Sequence, residues 1–189
     1  SSQISNNVGT SEREQSQYIR DSFARDIMKD MGQVSGESTY VHLYINGLSW
    51  GLYNPVEYPR AAYGASHFGG PEEDYDSINR RTVTTKIIDG TFDAWNEMQA
   101  LANSGLTTQA KYEEMETHMN IDNLIDYMLM HQYMGSRDGP EVFNSNNMRS
   151  IRRPRGDDLT TWIGMPWDME ASMFEIDVTR NVNPDDPNT

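Results

Sequence analysis

Two acidic residues stand in company that suits chemistry. Asp138 lies in Gly135-Ser136-Arg137-Asp138-Gly139-Pro140, directly after a long apolar stretch and ahead of the amide-rich Asn144-Ser145-Asn146-Asn147. Asp168 lies in Trp167-Asp168-Met169-Glu170, directly after an apolar run and Pro166. An acid, an amide-rich loop, a β-hairpin and a second acid, in that order, can bring Asp138, Asn147 and Asp168 to one pocket. Hard oxygen donors of this kind suit Mg²⁺, which takes one or two carboxylates and fills its remaining positions with water and phosphate oxygens. That is the composition of a phosphoryl-transfer site, where the protein acts by positioning and charge neutralisation. Taken singly, each acid also has a plain structural use, Asp138 closing a turn and Asp168 capping a helix.

Composition removes most other chemistries. The chain has 189 residues and no cysteine, which excludes thiol catalysis, disulfides, Fe–S clusters and thiolate zinc sites. G-x-S-x-G, H-E-x-x-H, P-loop and G-x-G-x-x-G patterns are all absent. His42, His67, His118 and His131 fall in different elements without ligand spacing, and His42 and His131 read as packing residues. Of the 12 methionines, those at 28, 31, 128, 130 and 134 recur at helical spacing and read as core filler. With 29 acidic against 15 basic residues the net charge is −14, which disfavours generic nucleic-acid binding. No apolar run approaches the ~20 residues needed to cross a bilayer, so membrane insertion is not expected.

The elements that must position these acids follow from the pattern of apolar residues. Ser11 and Glu14 form a capping-box pattern, predicting a helix from Ser11 to Gly32 with Ile19, Phe23, Ile27 and Met31 as its packed stripe. From Thr39 the residues alternate, and Asn46-Gly47 between Val41-His42-Leu43-Tyr44-Ile45 and Leu48-Ser49-Trp50-Gly51-Leu52-Tyr53 predicts a tight hairpin ended by Asn54-Pro55. A short helix is expected at 59–68, strands at 75–79 and 82–88, and helices ending at Asn103 and spanning 108–119. A further helix at 121–134 should turn Leu124, Ile125, Met128 and Leu129 inward, and strands should follow at 148–152 and 159–165. The fold class is therefore α+β with a mainly helical middle. Both ends are polar, and the Asn-, Asp- and Pro-rich 181–189 reads as loop or linker.

In protein kinases an Asp positions the accepting hydroxyl, a later Asn holds one metal, and an Asp after the next hairpin holds the other. The chain resembles one particular family, the CotH kinases, which are spore-coat and secreted proteins with an atypical protein-kinase fold. The resemblance is carried by Tyr18-Ile19-Arg20-Asp21-Ser22-Phe23-Ala24-Arg25-Asp26 and by Asn46-Gly47-Leu48-Ser49-Trp50-Gly51-Leu52-Tyr53-Asn54-Pro55-Val56-Glu57. It extends through Phe68-Gly69-Gly70, Glu73-Asp74-Tyr75-Asp76-Ser77-Ile78-Asn79, Ala94-Trp95-Asn96, Ile121-Asp122-Asn123-Leu124-Ile125-Asp126-Tyr127-Met128 and Pro166-Trp167-Asp168-Met169-Glu170. It implies a single domain over 1–189, with coil at 1–10, a partial N-lobe of helix plus hairpin at 11–57, a mainly helical C-lobe at 58–180 and a linker at 181–189.

The resemblance also implies roles. Asp138 matches the catalytic-loop aspartate, Asn147 the metal-binding asparagine and Asp168 the metal-binding aspartate, with ATP and Mg²⁺ or Mn²⁺ as cofactors. Arg137 would contact phosphate, and Glu57 would fall where the lobes join, next to the adenine, a buried structural glutamate being the alternative. Glu170 would support a second metal or face solvent. A protein substrate or assembly partner is implied, and an extracellular or cell-surface bacterial location. Asn147 stands nine residues after Asp138, longer than the usual D-x-x-x-x-N, which leaves Asn144 and Asn146 as alternatives. Lys29, Lys86 and Lys111 are the only lysines, and none has the strand context of a phosphate lysine. The expectation is therefore an internal piece of a longer secreted protein, or a reduced kinase-like domain acting as a non-catalytic binding module. A carboxylate-pair glycoside hydrolase using Asp168 or Glu170 is a third reading that the spacing does not favour. Arg149, Arg152, Arg153 and Arg155 are expected to form a solvated basic face, with phosphate binding as the alternative.

Overall fold

A computed structural model of the chain describes residues 17–81, 84–137, 139, 147–155 and 159–173. Among them are helix α1 (Arg20–Asp30), the strands β1 (Val41–Ile45) and β2 (Leu48–Tyr53), and helix α2 (Ala61–Phe68). Next come β3 (Asp76–Arg81), β4 (Thr84–Asp89) and the helices α3 (Asp93–Asn103), α4 (Gln109–Glu116) and α5 (Ile121–Tyr133). The strands β5 (Met148–Arg152) and β6 (Ile163–Met165) close the series, with 3₁₀ turns at Glu72–Asp74 and Met169–Ala171. The architecture is α+β, with a two-stranded sheet β1-β2 and an antiparallel four-stranded sheet ordered β4-β3-β5-β6.

The hairpin forms where expected. Asn46 and Gly47 both take positive φ, 51° and 77°, the pair of angles whose twist matches that of the flanking strands. The register shifts between Leu43, opposite Gly51, and Tyr44, opposite Ser49, so Trp50 is the extra residue of a bulge in β2 beside Gly51 at φ 94°. A two-stranded ribbon is marginal by itself. This one is tied down where Tyr40 Oη donates to the Tyr18 carbonyl (2.9 Å) and lies within hydrogen-bond distance, 3.0 Å, of Ser22 Oγ on α1.

The four-stranded sheet is covered on both faces. Ile78 pairs with Ser150 and Ser77 with Ile151, so the two isoleucines point to opposite sides. Ile78 packs with Trp95, Met98, Met115, Met119 and Trp162, which brings α3 and α4 onto one face. Ile151 packs with Ile163, Met165, Tyr75, Ala61 and Tyr63, which brings α2 onto the other. Gly64 of α2 permits that approach, because a Cβ there would lie 2.4 Å from the Tyr75 ring.

Two helices turn differently from their expected stripes. The predicted helix from Ser11 does not run through Tyr18, whose φ is 61°; α1 begins at Arg20, and 11–16 lie outside the described residues. It ends as expected, with Gly32 at φ 82° and its N–H on the Lys29 carbonyl. Its buried residues are Arg20, Ser22, Ala24, Arg25 and Met28, while Ile19 and Phe23 are exposed and Ile27 is half-buried. Ala24 and Met28 meet Tyr127, Met130 and Met134 of the α5 segment, and small Ala24 lets the two helices approach. On α5, Leu124 and Met128 pack against the core as expected, but Ile125 and Leu129 are each 51% exposed.

Their place is taken by Asn123, Tyr127, Met130 and His131. Asn123 is fully buried because it serves the edge of β6. Gly164 N donates to Asn123 Oδ1 (2.7 Å), and Asn123 Nδ2 donates to the Gly164 carbonyl (3.3 Å) and to Gln33 Oε1 (3.2 Å). A side-chain amide thus replaces a fifth strand at the edge that leads to Asp168. His131 is a packing residue as expected, fully buried with its ring 4.5 Å from that of Tyr127.

Candidate functional site

Antiparallel pairing delivers Asn147 and Asp168 to the same end of the sheet. Arg149 faces Met165, so continuing that register sets Asn147 opposite Trp167, one residue before Asp168. Asn147 and Asp168 both adopt left-handed backbone, with φ of 53° and 55°. Asn147 Nδ2 donates to the Asp168 carbonyl at 3.4 Å, which holds the two turns together. Two of the three residues expected to converge therefore do so. Asp138 lies outside the described residues, as do Asn144 and Asn146. The residue before Asp138 is placed: Arg137 N donates to the Ala171 carbonyl (2.8 Å), within the turn that follows Asp168.

Asp168 opens into a cleft of about 520 Å³ between the hairpin and the sheet. That size falls within the roughly 300–1,000 Å³ of small-molecule sites. Trp50, Leu52 and Tyr53 of the hairpin form one wall, and Trp167, Asp168 and Glu170 form the opposite one. Asp21 and Arg25 of α1 reach in from the side. Glu57 does not line the cleft, although Pro55 and Val56 before it do. Its carboxylate accepts from Glu37 N (2.8 Å) and meets His67 Nε2 (2.8 Å), and those partners outweigh partial burial and hold its pKa below the usual range.

The cleft is dense in charge. Asp168 is solvent-accessible in the cleft, yet the protein packed around its carboxyl, and after it the like charge of Asp21, pushes it above the ordinary aspartate range. Glu170 is raised by the same two causes in the same order. Arg149 answers this charge from below. Burial lowers its pKa, while Tyr58 and Asp168 pull it back. Its guanidinium carbon lies 4.1 Å from the centre of the Tyr58 ring and 4.4 Å from that of Trp167. Tyr58 and Trp167 meet edge-on at 4.7 Å, and Arg25 approaches the Trp167 ring at 5.6 Å. Trp167 is thereby held between cations on the segment that carries Asp168.

Of the expected solvated basic face only Arg155 is exposed; the other three arginines are buried or paired. Arg149 is 6% exposed beneath the cleft. Arg152 pairs with Asp76 (3.0 Å), and Arg153 with Asp74 (3.8 Å) and the Phe68 carbonyl (3.2 Å). Strand alternation sends neighbouring arginines to opposite faces of the sheet, where each meets a different acid or ring. The lysines stay away from the cleft: Lys29 pairs with Glu37 (2.7 Å), Lys86 stands on β4 opposite Asn79, and Lys111 Nζ reaches Ser104 (2.9 Å). The cations around Asp168 are arginines.

Sequence reasoning did not single out Asp21, Arg25 or Tyr58 as site residues, and it read Arg149 as surface. The i,i+4 spacing of Asp21 and Arg25 was a legible helix pair, but nothing in it says that the pair faces Trp167. Among the described residues no three His, Cys, Asp or Glu side chains are gathered closely enough to hold a metal by themselves. One carboxylate, one amide and an open cleft still fit Mg²⁺, whose remaining positions water and phosphate would fill.

The described residues thus form an α+β arrangement, a small exposed hairpin beside a four-stranded sheet, with the left-handed turns of Asn147 and Asp168 tied together at one end of that sheet. The family description that matches residues 10–188 is CotH kinase protein, and the chain belongs to the CotH kinase family. No curated protein matches it.

Proposed function

We propose that the chain carries the metal-binding half of an ATP-dependent phosphotransferase of the CotH type, acting on Ser or Thr hydroxyls of a secreted, surface or coat protein. In this reading α1 and the hairpin are a partial N-lobe, and the elements from α2 onward are the C-lobe of an atypical kinase fold. The single observation that carries it is the 3.4 Å hydrogen bond from Asn147 Nδ2 to the backbone carbonyl of Asp168, a residue that lines the cleft. Asp168 and Asn147 would hold Mg²⁺ or Mn²⁺, which when bound neutralises charge on the transferring phosphoryl group. Asp138 would accept the hydrogen bond of the attacking hydroxyl, and Arg137 would meet phosphate. The exposed hairpin side chains Trp50, Leu52 and Tyr53 would offer apolar and aromatic surface to a base. Glu57 braces the connection between hairpin and α2 through Glu37 and His67.

Calorimetric titration of ATP in the presence of Mn²⁺ tests this. Asp168→Ala should lose metal-dependent binding by about tenfold or more, and wild-type binding of ATP that ignores both Mn²⁺ and Asp168→Ala refutes the assignment. A second reading, a non-catalytic binding module of an extracellular assembly, is favoured by the placement of Lys29, Lys86 and Lys111 away from the cleft. It predicts no ATP binding under any metal condition.

A further inference from the structure

We propose that Asp21 is a positioning residue for Asp168, its carboxylate fastening the peptide that follows Asp168 to helix α1. This rests on the reading of Asp168 as a metal-binding residue. Met169 N, the amide next after Asp168, donates to Asp21 Oδ1 at 3.2 Å. The other oxygen, Asp21 Oδ2, accepts from Arg25 Nε (3.1 Å) and Nη2 (2.8 Å). Arg25 is fully buried, with Nη1 directed at Gly36, so it cannot swing away. A second tie runs parallel, from Arg20 Nη1 to the Glu170 carbonyl at 3.3 Å.

Asp168 itself sits at φ 55° and ψ 49°, a conformation costly for a residue with a Cβ, and it persists only when the surroundings hold it. Asp21 holds it from one side and Asn147 from the other. Only a carboxylate can take three N–H donors on two oxygens here. An amide would turn its NH₂ either toward Met169 N or toward Arg25. The arrangement keeps a negative charge close to Asp168 despite their repulsion, which marks the contact as more than surface pairing.

The test uses the full chain, with Asp21→Ala and Asp21→Asn beside the exposed Asp26→Asn on the same helix. Amide hydrogen exchange at Met169 should speed up about tenfold in both Asp21 variants and stay at the wild-type rate in Asp26→Asn. The Mn²⁺ concentration that half-saturates ATP binding should rise about tenfold in the Asp21 variants, as for other residues that orient a metal ligand, measured below the melting transition of Asp21→Asn, which loss of the buried Arg25 ion pair lowers. Unchanged exchange at Met169 overturns the proposal, and so does faster exchange with unchanged Mn²⁺ dependence. If wild type binds no Mn²⁺–ATP while Met169 exchange still responds, the fastening stands and the phosphotransferase reading falls. If Asp21→Ala does not fold, Asp21→Asn carries the same two measurements.

Discussion

Asn123→Ala offers a direct test of how the strand that carries Asp168 is held. The fully buried amide satisfies both backbone groups of Gly164 on the outer edge of β6, at 2.7 Å and 3.3 Å. Truncation leaves an N–H and a C=O without those partners, and each orphaned buried group costs about 1–3 kcal/mol, so the loss should be about 2–6 kcal/mol. Entry of one water would bring it toward the lower figure. Against a native stability of about 5–15 kcal/mol, that loss should lower the urea midpoint by about 1–2 M. The internal comparison is Asn120→Ala, which removes only the helix cap that accepts from Asn123 N (2.9 Å) and should cost about 1 kcal/mol. Equilibrium urea unfolding followed by tryptophan fluorescence reports both, since Trp162 is buried beside β6. A loss for Asn123→Ala no greater than that for Asn120→Ala would refute the view that the amide acts as a surrogate strand.

Two other outcomes follow from local chemistry. In metal-free buffer, Asp168→Asn should raise the melting temperature at neutral pH: a carboxyl whose folded pKa is raised opposes folding while ionised, and that penalty disappears as pH falls through its folded value toward the ordinary aspartate range. Melting curves of both proteins across that interval should therefore converge on acidification, and a gain that persists at acid pH would contradict the sign. Gly64→Ala should destabilise the protein by about 1–3 kcal/mol, although alanine is the better helix former, because its Cβ would meet the Tyr75 ring at 2.4 Å. Thermal unfolding checks it, and an increase in stability would show that the ring has room to move.

Much of the local architecture was legible in the chain itself. Asn46-Gly47 dictated its hairpin because two consecutive residues had to accept positive φ, and Gly32 ended α1 for a related reason. The positions of α3, α5, β3 and β5 followed from apolar periodicity, and the spread of motifs pointed to the family that matches 10–188. The pairing of Asn147 with Asp168 was also foreseeable, since two strands joined as a hairpin bring their flanking residues together.

Tertiary structure decided which side of each element faces inward. Ile19 and Phe23 continue the apolar spacing along the helix, yet α1 turns Ala24, Arg25 and Met28 to the protein, because Arg25 meets Trp167 there while small Ala24 admits α5. Asn123 displaced Ile125 from the interior for a comparable reason: the edge of β6 required hydrogen bonds that no hydrocarbon can supply. Arg149 went from expected surface to a buried seat against Tyr58 and Trp167, residues far from it in sequence. Residue type and spacing determine what an element is. The partner that satisfies a buried polar group lies elsewhere in the chain, so only the folded arrangement determines which face that element buries.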